Sequence, residues 1–178
     1  MKILIVVDMQ NDFVSMALGT PEAQVIVPEV VKKIEEYKND KSNFIVFTRD
    51  THYSNYMETL EGKKLPVPHC IVGSEGWNII PEIKIDENSL IVDKKTFGYE
   101  KWEGLFDAFN IYYSQIDEIE LCGLCTDICV ISNALILRAL YPNKPITVDA
   151  KCCAGVTPEK HKAALEVMKS CQIDVINE

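Results

Sequence analysis

Short apolar runs rich in β-branched residues alternate with amphipathic segments along this chain, and that alternation limits its fold more than any other feature. Ile3–Val7 is an unbroken apolar run of the kind expected for a strand that is buried on both faces. In Pro28–Tyr37 the apolar residues recur at helical spacing instead, and Pro28 suits the first turn of a helix. Strands that alternate with helices predict an α/β fold with a mostly parallel sheet.

Further segments extend this pattern to the end of the chain. The predicted strands are Ile3–Val7, Phe44–Phe47, Leu90–Val92, Ile119–Leu124, Ile146–Val148 and Val175–Ile176. The predicted helices are Pro28–Tyr37, Trp102–Phe109, Cys129–Leu140 and Pro158–Lys169. Thr51–Asn88 is long for a connection and contains many aromatic residues, which predicts a functional loop. The length fits one domain, so we expect a single domain over residues 1–178.

Charge and cysteine content narrow the class of protein. Lys and Arg number 18 against 27 Asp and Glu, so the formal net charge is −9. This balance argues against nucleic acid and anionic membranes as partners. No apolar stretch approaches the roughly 20 residues of a membrane helix, and the first run, bounded by Asp8, is too short for a signal peptide core. The seven cysteines therefore predict free thiols in a reducing cytoplasm.

Polar side chains follow several predicted strands at the point where each strand ends. Asp8, Asp50 and Lys94 lie just beyond three of the strands, and Cys129 follows a fourth through a short turn. In an open parallel sheet, ligands bind at the carboxyl ends of the strands. Any one of these residues could simply be the first polar residue of an emerging strand, but together with a thiol they favour a functional site.

Cys129 is predicted to lie at or near the N-terminus of a helix. There the helix dipole and free N–H groups favour the thiolate, which is the nucleophilic form of cysteine. Amides of the turn are placed to accept a developing oxyanion. An ammonium such as Lys94 would lower the thiol pKa further, and a carboxylate such as Asp8 could carry its proton. Taken alone, Cys129 could equally be an inert thiol of the core.

Five motifs occur in order along the chain and point to a known family. They are Asp8-Met-Gln-Asn-Asp-Phe13, Thr48-Arg49-Asp50-x-His52, Pro68-His69-Cys70-x-x-Gly73, Lys94-x-x-Phe97 and Gly123-Leu-Cys-Thr-Asp-Ile-Cys129-Val130. Together they resemble the isochorismatase-like cysteine hydrolases, and within them the nicotinamidases, over nearly the whole chain. The resemblance implies a three-layer α/β/α fold with a mostly parallel, six-stranded, Rossmann-like sheet. It also implies a homo-oligomer, commonly a dimer or tetramer.

The resemblance assigns roles residue by residue. Asp8, Lys94 and Cys129 match the catalytic triad of the family, in which the thiolate attacks a carboxamide carbon, ammonia leaves and water hydrolyses the thioester. The resemblance further implies a cis peptide bond between Leu124 and Cys125, which directs the amides of Cys125 and Cys129 at the oxyanion.

Two positions depart from the common pattern. Cys125 stands where the family usually has alanine. The change is small because the backbone amide, not the side chain, contacts the oxyanion. Lys95 competes with Lys94 for the role of the lysine, and we prefer Lys94 because its three-residue step to Phe97 fits the motif.

A divalent metal ion is the predicted cofactor. Asp50, His52 and His69 offer one carboxylate and two imidazoles, a set suited to Zn, Fe or Mn, and Asp50 and His52 face the same side of an extended chain. The nicotinamidases to which the chain is similar have a fourth ligand between the two histidines. Glu61 has a suitable spacing for it, with Glu58 as its competitor. The resemblance implies that the metal orients the ring nitrogen of the substrate.

The resemblance favours nicotinamide, hydrolysed to nicotinate and ammonia, as the small-molecule substrate. It also implies that Phe13 stacks on the pyridine ring, although Phe13 could equally be a core residue. Nicotinamidases often carry a tryptophan near the position of Leu65–Val67, and Tyr53 or Tyr56 could substitute for it here. N-carbamoyl, ureido and other small amides therefore stay open as alternative substrates.

The cysteines allow a remote alternative from another class, a thiol redox or metal-binding protein. Cys122 and Cys125 form a CxxC motif, and Cys152 and Cys153 are adjacent to each other after a predicted strand. However, Cys122 lies inside a predicted strand, whereas a redox CxxC normally opens a helix. The sequence therefore favours the hydrolase.

Overall fold

The structure, a computed structural model, describes residues 1–86 and 89–178 and is built on a six-stranded sheet. The strands are β1 (Lys2–Val7), β2 (Phe44–Asp50), β3 (Leu90–Lys94), β4 (Glu118–Leu124), β5 (Ile146–Ala154) and β6 (Asp174–Ile176). Their order is β3-β2-β1-β4-β5-β6, and every neighbouring pair is parallel. The predicted α/β fold is confirmed, with a sheet that is parallel throughout.

Seven α-helices connect the strands in the described part of the chain. They are α1 (Asn11–Val14), α2 (Pro21–Val25), α3 (Val27–Lys38), α4 (Leu60–Lys64), α5 (Trp102–Ala108), α6 (Ile131–Leu140) and α7 (Pro158–Ser170). Local sequence fixes several of their starts. Thr20 and Thr157 accept hydrogen bonds from Ala23 N and Lys160 N, and each is followed by a proline in the first turn. None of these helices combines the length and the apolar character needed to cross a membrane.

The connections place helices on both faces of the sheet. Helix α3 connects β1 to β2, its neighbour toward the β3 edge of the sheet. Helices α6 and α7 connect β4 to β5 and β5 to β6, which run toward the opposite edge. Since parallel crossovers are right-handed, the two groups cover opposite faces and give the three layers expected from the sequence. Buried aliphatic residues of β1 and β4 form the centre of the core, together with Phe47 and Trp102.

Several element boundaries differ from the sequence predictions. Asp50 and Lys94 are the last residues of β2 and β3 rather than the residues after them, and β5 includes Cys152 and Cys153. The predicted helix Cys129–Leu140 begins at Ile131 and is preceded by a single π-helical turn. Helices α1, α2 and α4 are too short to produce a recognisable period. Of the predicted long loop, residues 51–86 lie within the described part, and the last two residues lie outside it.

The strand order reverses direction between β1 and β4, where parallel sheets commonly bind ligands. These two strands approach closely at Gly123, which has a φ of +114°. A Cβ atom there would lie 2.1 Å from the carbonyl oxygen of Val7, so only glycine fits. Asp8 follows Val7 directly, and the close approach therefore fixes the Asp8 backbone beside the end of β4, from which the chain leads to Cys129.

Candidate active site and metal centre

The carboxyl edge of the sheet brings together the aspartate, lysine and cysteine that the sequence singled out. Lys94 Nζ lies 2.6 Å from Asp8 Oδ2 and 3.4 Å from Cys129 Sγ. All three residues are buried, with at most 4% of their surface exposed. A buried ammonium thus lies between a carboxylate and a thiol.

Asp8 is held in place by its own backbone and by β2. It has a φ of +48°, a left-handed conformation that is uncommon outside glycine and frequent at functional sites. The Thr48 hydroxyl donates a 2.6 Å hydrogen bond to Asp8 Oδ1, and the Asp8 amide donates to the Thr48 carbonyl at 3.2 Å. These contacts leave Oδ2 directed at Lys94.

The predicted lowering of the Cys129 pKa is wrong for the site as the structure has it. Burial raises the pKa of the Cys129 thiol well above its usual range, although the Lys94 ammonium acts in the opposite direction. Burial also raises the pKa of Asp8. Burial would lower the pKa of Lys94, but the carboxylate of Asp8 raises it well above normal. Burial therefore favours the protonated thiol over the thiolate in the resting site.

The two competing lysines have different environments. Lys94 is buried in the site, whereas Lys95 is exposed and its Nζ lies 5.0 Å from the ring centroid of Tyr53. The strand alternation explains the difference, because consecutive residues at the end of β3 face opposite directions. Lys94 is the lysine that contacts Cys129.

Next to this group lies a cluster that could hold a metal ion. Donor atoms of Asp50, His52, Glu61 and His69 all lie within 4.8 Å of one another, the one such grouping found among the described residues. Glu61 Oε1 lies 3.6 Å from His52 Nε2 and 3.8 Å from His69 Nε2. Ligands placed about 2.1 Å from a tetrahedral ion would be about 3.4 Å apart, so the spacing suits one. Glu58, the competitor, is exposed and does not belong to the cluster.

The state of the two imidazoles also fits a metal ion. His69 Nδ1 lies 2.8 Å from the Val67 carbonyl oxygen and must donate to it, so in the neutral ring the lone pair lies on Nε2, which faces the cluster. His52 Nε2 lies 2.9 Å from Asp50 Oδ2 but has no hydrogen-bond partner in a suitable geometry, although it is buried. An orphaned buried nitrogen beside a carboxylate is expected where both atoms are directed at a cation.

Asp50 joins this cluster to the first group of residues. Its Oδ1 lies 3.4 Å from Lys94 Nζ, and its Oδ2 lies 2.9 Å from His52 Nε2 and 3.6 Å from His69 Nε2. Burial would raise the pKa of Asp50, but the two histidines and Lys94 hold it far below its usual range. Asp50 is therefore ionised, and its two oxygens can contact the Lys94 ammonium and a metal ion at the same time.

Gln10 holds the backbone of Asp50 through its side chain. The side chain accepts from Asp50 N at 2.7 Å and donates to the carbonyl oxygens of Asp50 and Trp77, both at 2.9 Å. Gln10 is fully buried. The sequence contained Gln10 within its first motif but gave it no role, because its partners are backbone atoms distant along the chain.

We expect Gln10→Met to weaken metal binding about tenfold to a hundredfold, because the Asp50 backbone would lose both of its side-chain hydrogen bonds. Competition with a fluorescent chelator measures this affinity directly. Gln24→Met, at an exposed position of α2, is the matched control. An unchanged affinity in a folded Gln10→Met protein would show that Gln10 does not position Asp50.

Two further buried residues organise the site and were not singled out by the sequence. Asp12 Oδ2 accepts a 2.7 Å hydrogen bond from the amide of Cys70, which fixes the backbone next to His69. Asn133 Nδ2 donates to the carbonyl oxygen of Cys129 at 2.8 Å and to that of Phe97 at 3.2 Å. Asn133 thereby ties the turn that carries Cys129 to the segment after β3.

A cavity of about 610 Å³ is lined by residues of both groups. Cys129, Asp50 and His69 contribute to its inner part, and Phe13 lies on its wall with its ring centroid 5.5 Å from that of His69. Neither tyrosine considered as a tryptophan substitute lines the cavity. Tyr53 is about half exposed, and Tyr56 is buried, with its ring centroid 4.7 Å from that of His52.

The turn between β4 and α6 forms another part of the wall. The peptide bond between Leu124 and Cys125 is cis, as the resemblance implied. Both Cys125 and Cys129 line the cavity, and the amides of Ile128 and Val130 donate to the Cys125 carbonyl oxygen at 3.0 and 3.1 Å. Burial raises the pKa of the Cys125 thiol to about 12, so this thiol is neutral.

The structure gives no support to a thiol-based metal or redox site. Cys122 is fully buried within β4, as expected, and all seven cysteines are free thiols. Cys152 and Cys153 lie inside β5 rather than after it, which corrects the predicted boundary. In the described ranges, the single grouping of potential metal ligands contains no cysteine.

Fold and site together define an α/β protein with a buried thiol, ammonium and carboxylate beside a cluster of two histidines and two carboxylates. A family model described as the isochorismatase domain matches residues 2–178, and the chain belongs to that family. It is 25% identical to the nicotinamidase of Schizosaccharomyces pombe, covering 98% of this chain and 92% of the relative.

Two solved structures extend the comparison. Pyrazinamidase of Pyrococcus horikoshii in complex with zinc has a TM-score of 0.81 and 28% identity, covering 99% of both chains. N-carbamoylsarcosine amidase from Thermoplasma acidophilum has a TM-score of 0.79 and 28% identity, covering 98% of this chain and 94% of the other.

Proposed function

We propose that this protein is a metal-containing cysteine amidohydrolase that converts nicotinamide to nicotinate and ammonia. The observation that carries the proposal is the position of Lys94, whose ammonium contacts Asp8, Cys129 and Asp50 at once. Lys94 thereby joins the proposed nucleophile, Cys129, and its base, Asp8, to the cluster that is suited to a metal ion. Cys129 and Asp50 both line the cavity. The similarity to a nicotinamidase and a pyrazinamidase supports the same assignment.

The proposed reaction begins with proton transfer from the Cys129 thiol to Asp8. The thiolate then forms a bond to the carboxamide carbon, and the amides of Cys125 and Cys129 donate hydrogen bonds to the resulting oxyanion. Asp8 returns the proton to the nitrogen as the C–N bond breaks, and ammonia leaves. The raised pKa of Asp8 suits this dual role as base and acid.

Hydrolysis of the thioester regenerates the enzyme. Asp8 accepts a proton from water, the hydroxide adds to the thioester carbon, and the Cys129 thiolate leaves and is reprotonated. Lys94 remains cationic throughout, because its contact with Asp8 raises its pKa. Its charge stabilises the thiolate in both half-reactions.

Asp50, His52, Glu61 and His69 would hold the divalent metal ion, with Zn, Fe and Mn as the candidates. When bound, the ion supplies a Lewis acid that orients the ring nitrogen of the substrate. Phe13 borders both the cavity and His69, and we propose that it stacks on the pyridine ring.

A second candidate substrate class is the N-carbamoyl and ureido amides. The similarity to N-carbamoylsarcosine amidase favours it, as does the cavity wall, to which neither Tyr53 nor Tyr56 contributes an aromatic ring in place of the missing tryptophan. The chemistry at Cys129 would be the same, because a carbamoyl carbon also bears an amide nitrogen that leaves as ammonia.

Ammonia release from nicotinamide by the purified, metal-loaded protein tests the proposal. Chelation should lower the rate by at least about a hundredfold, because the ring would lose its orienting contact, and adding back Zn²⁺, Fe²⁺ or Mn²⁺ should restore it. The restoring ion identifies the metal. A folded, metal-loaded protein that releases no ammonia from nicotinamide would contradict this substrate, and N-carbamoyl amides would be tested next.

Homo-oligomer formation and a cytoplasmic location stay predictions. Val25 and Leu60 are 75% and 71% exposed, which leaves apolar surface that a second copy could cover. The seven free thiols suit a reducing compartment. Sedimentation of the purified protein would measure the oligomeric state.

A further inference from the structure

Three lysines border the outer part of the cavity and are not used by the proposed mechanism. Lys64 on α4, Lys95 after β3 and Lys160 on α7 come from separate elements and line the same cavity. We call them the lysine rim. All three are exposed, and the lysine–carboxylate ion pairs found in the described part of the chain involve other lysines.

The charge of the lysine rim is opposite to that of the chain. The formal net charge is −9, yet the carboxylates that line the cavity are Asp50 and Glu61, both of which belong to the predicted metal centre. The mouth is therefore locally cationic in an acidic protein. Such an arrangement concentrates anions at the entrance and repels cations.

The cavity is also larger than a one-ring amide requires. Its volume of about 610 Å³ falls in the range of sites for drug-sized ligands. Apolar side chains, among them Leu60, Phe97 and Val156, line the same cavity as Cys129 and the lysine rim. A ligand that fills this space would have its reactive amide at Cys129, an apolar middle and an anionic end at the mouth.

We propose that, among amides longer than nicotinamide, the site prefers an anionic one, in which a carboxylate at the end remote from the scissile C–N bond is bound by the lysine rim. This inference rests on the proposed amide cleavage at Cys129 and specifies the substrate class of the same site. The lysine rim determines specificity, whereas the residues around Lys94 carry out the chemistry.

The test uses 6-substituted nicotinamides, which keep the ring nitrogen and carry a carboxylate or carboxymethyl group opposite the carboxamide. Each acid is compared with its uncharged methyl ester. Ammonia release reports amide cleavage alone, and the ratio of kcat/KM for acid over ester isolates the effect of the charge. We expect a ratio of about ten in the wild type at low salt, since each exposed charge contributes roughly two- to fivefold. The ratio should fall toward one in high salt.

The informative variant replaces all three lysines of the rim with glutamine, which should bring the ratio close to one. The control replaces Lys63, Lys101 and Lys162 with glutamine, which changes the net charge equally at exposed positions that do not line the cavity. The control should keep the wild-type ratio. A ratio near one in the wild type, or an equal loss in both triple variants, would overturn the proposal while the amidase assignment stands.

Binding separates the two proposals if no ammonia is released. Calorimetry on metal-loaded Cys129→Ala protein should give a dissociation constant for the acid about tenfold lower than for its ester, and substitution of the lysine rim should abolish this preference. If the acid binds more tightly than its ester but the wild type releases no ammonia, the proposed amide cleavage is contradicted and the proposed anion site stands. Equal affinities would refute the anion site.

Discussion

Replacing Cys129 with alanine is expected to lower kcat/KM for amide hydrolysis by at least about four orders of magnitude, because the substitution removes the proposed nucleophile. The thiol lies 3.4 Å from Lys94 Nζ, and an alanine fits the same buried position. The loss should therefore appear in kcat, with the free energy of unfolding changed by less than about 2 kcal/mol. Ammonia release and urea unfolding measure the two quantities.

A covalent intermediate gives this prediction an independent readout. Mass spectrometry of wild-type protein quenched during turnover of a slow amide should detect acylation on the peptide that contains Cys129. Cys171→Ala is the control, because this thiol is exposed and does not line the cavity. Ammonia release that persists in Cys129→Ala, or an acyl group on another residue, would contradict the mechanism.

The convergence of Asp8, Lys94 and Cys129 was predictable because parallel strands all end at the same edge of a sheet. Polar residues at the carboxyl ends of buried strands therefore lie at one edge of the sheet, where ligands bind. The metal cluster was predictable for a different reason. Asp50 and His52 are two residues apart in extended chain, and the resemblance supplied His69 and Glu61.

The residues that hold the site rigid could not be predicted in the same way. Gln10 and Asp12 bond to backbone atoms of Asp50 and Cys70, which are distant along the chain. Asn133 likewise joins Phe97 to Cys129. Hydrogen bonds of this kind leave no periodic pattern, because the partner is a peptide group that every residue possesses.

The protonation state of Cys129 shows a second limit of sequence reasoning. A helix start and a nearby ammonium both favour the thiolate, and these features are local enough to be expected from sequence. The opposing cost of burial depends on how β1, β4 and the π-helical turn pack around the sulfur. In the structure burial is the larger effect and raises the thiol pKa, which is why the proposed mechanism begins with proton transfer from Cys129 to Asp8.

Replacing Lys94 with methionine is expected to lower the free energy of unfolding by about 3–5 kcal/mol, because it leaves buried carboxylates without their cation. The side chains of Lys94 and Asp8 are fully buried and lie 2.6 Å apart, and Asp50 is 3.4 Å from the same ammonium. Burial already raises the pKa of Asp8, and removing Lys94 should raise it further.

The pH dependence of this destabilisation distinguishes a lost ion pair from a packing defect. A carboxyl group whose pKa is raised by folding contributes stability below its unfolded pKa and loses it as pH rises through the folded value. The deficit of Lys94→Met should therefore be larger at neutral than at mildly acidic pH, as urea unfolding at both would measure. The control variant Lys95→Met, at the exposed neighbouring position, should change the free energy of unfolding by less than about 0.5 kcal/mol. The double variant Asp8→Leu/Lys94→Met should recover part of the free energy of unfolding that Lys94→Met loses. A deficit that does not depend on pH, or one that is equal for Lys95→Met, would show that the buried ammonium does not neutralise Asp8.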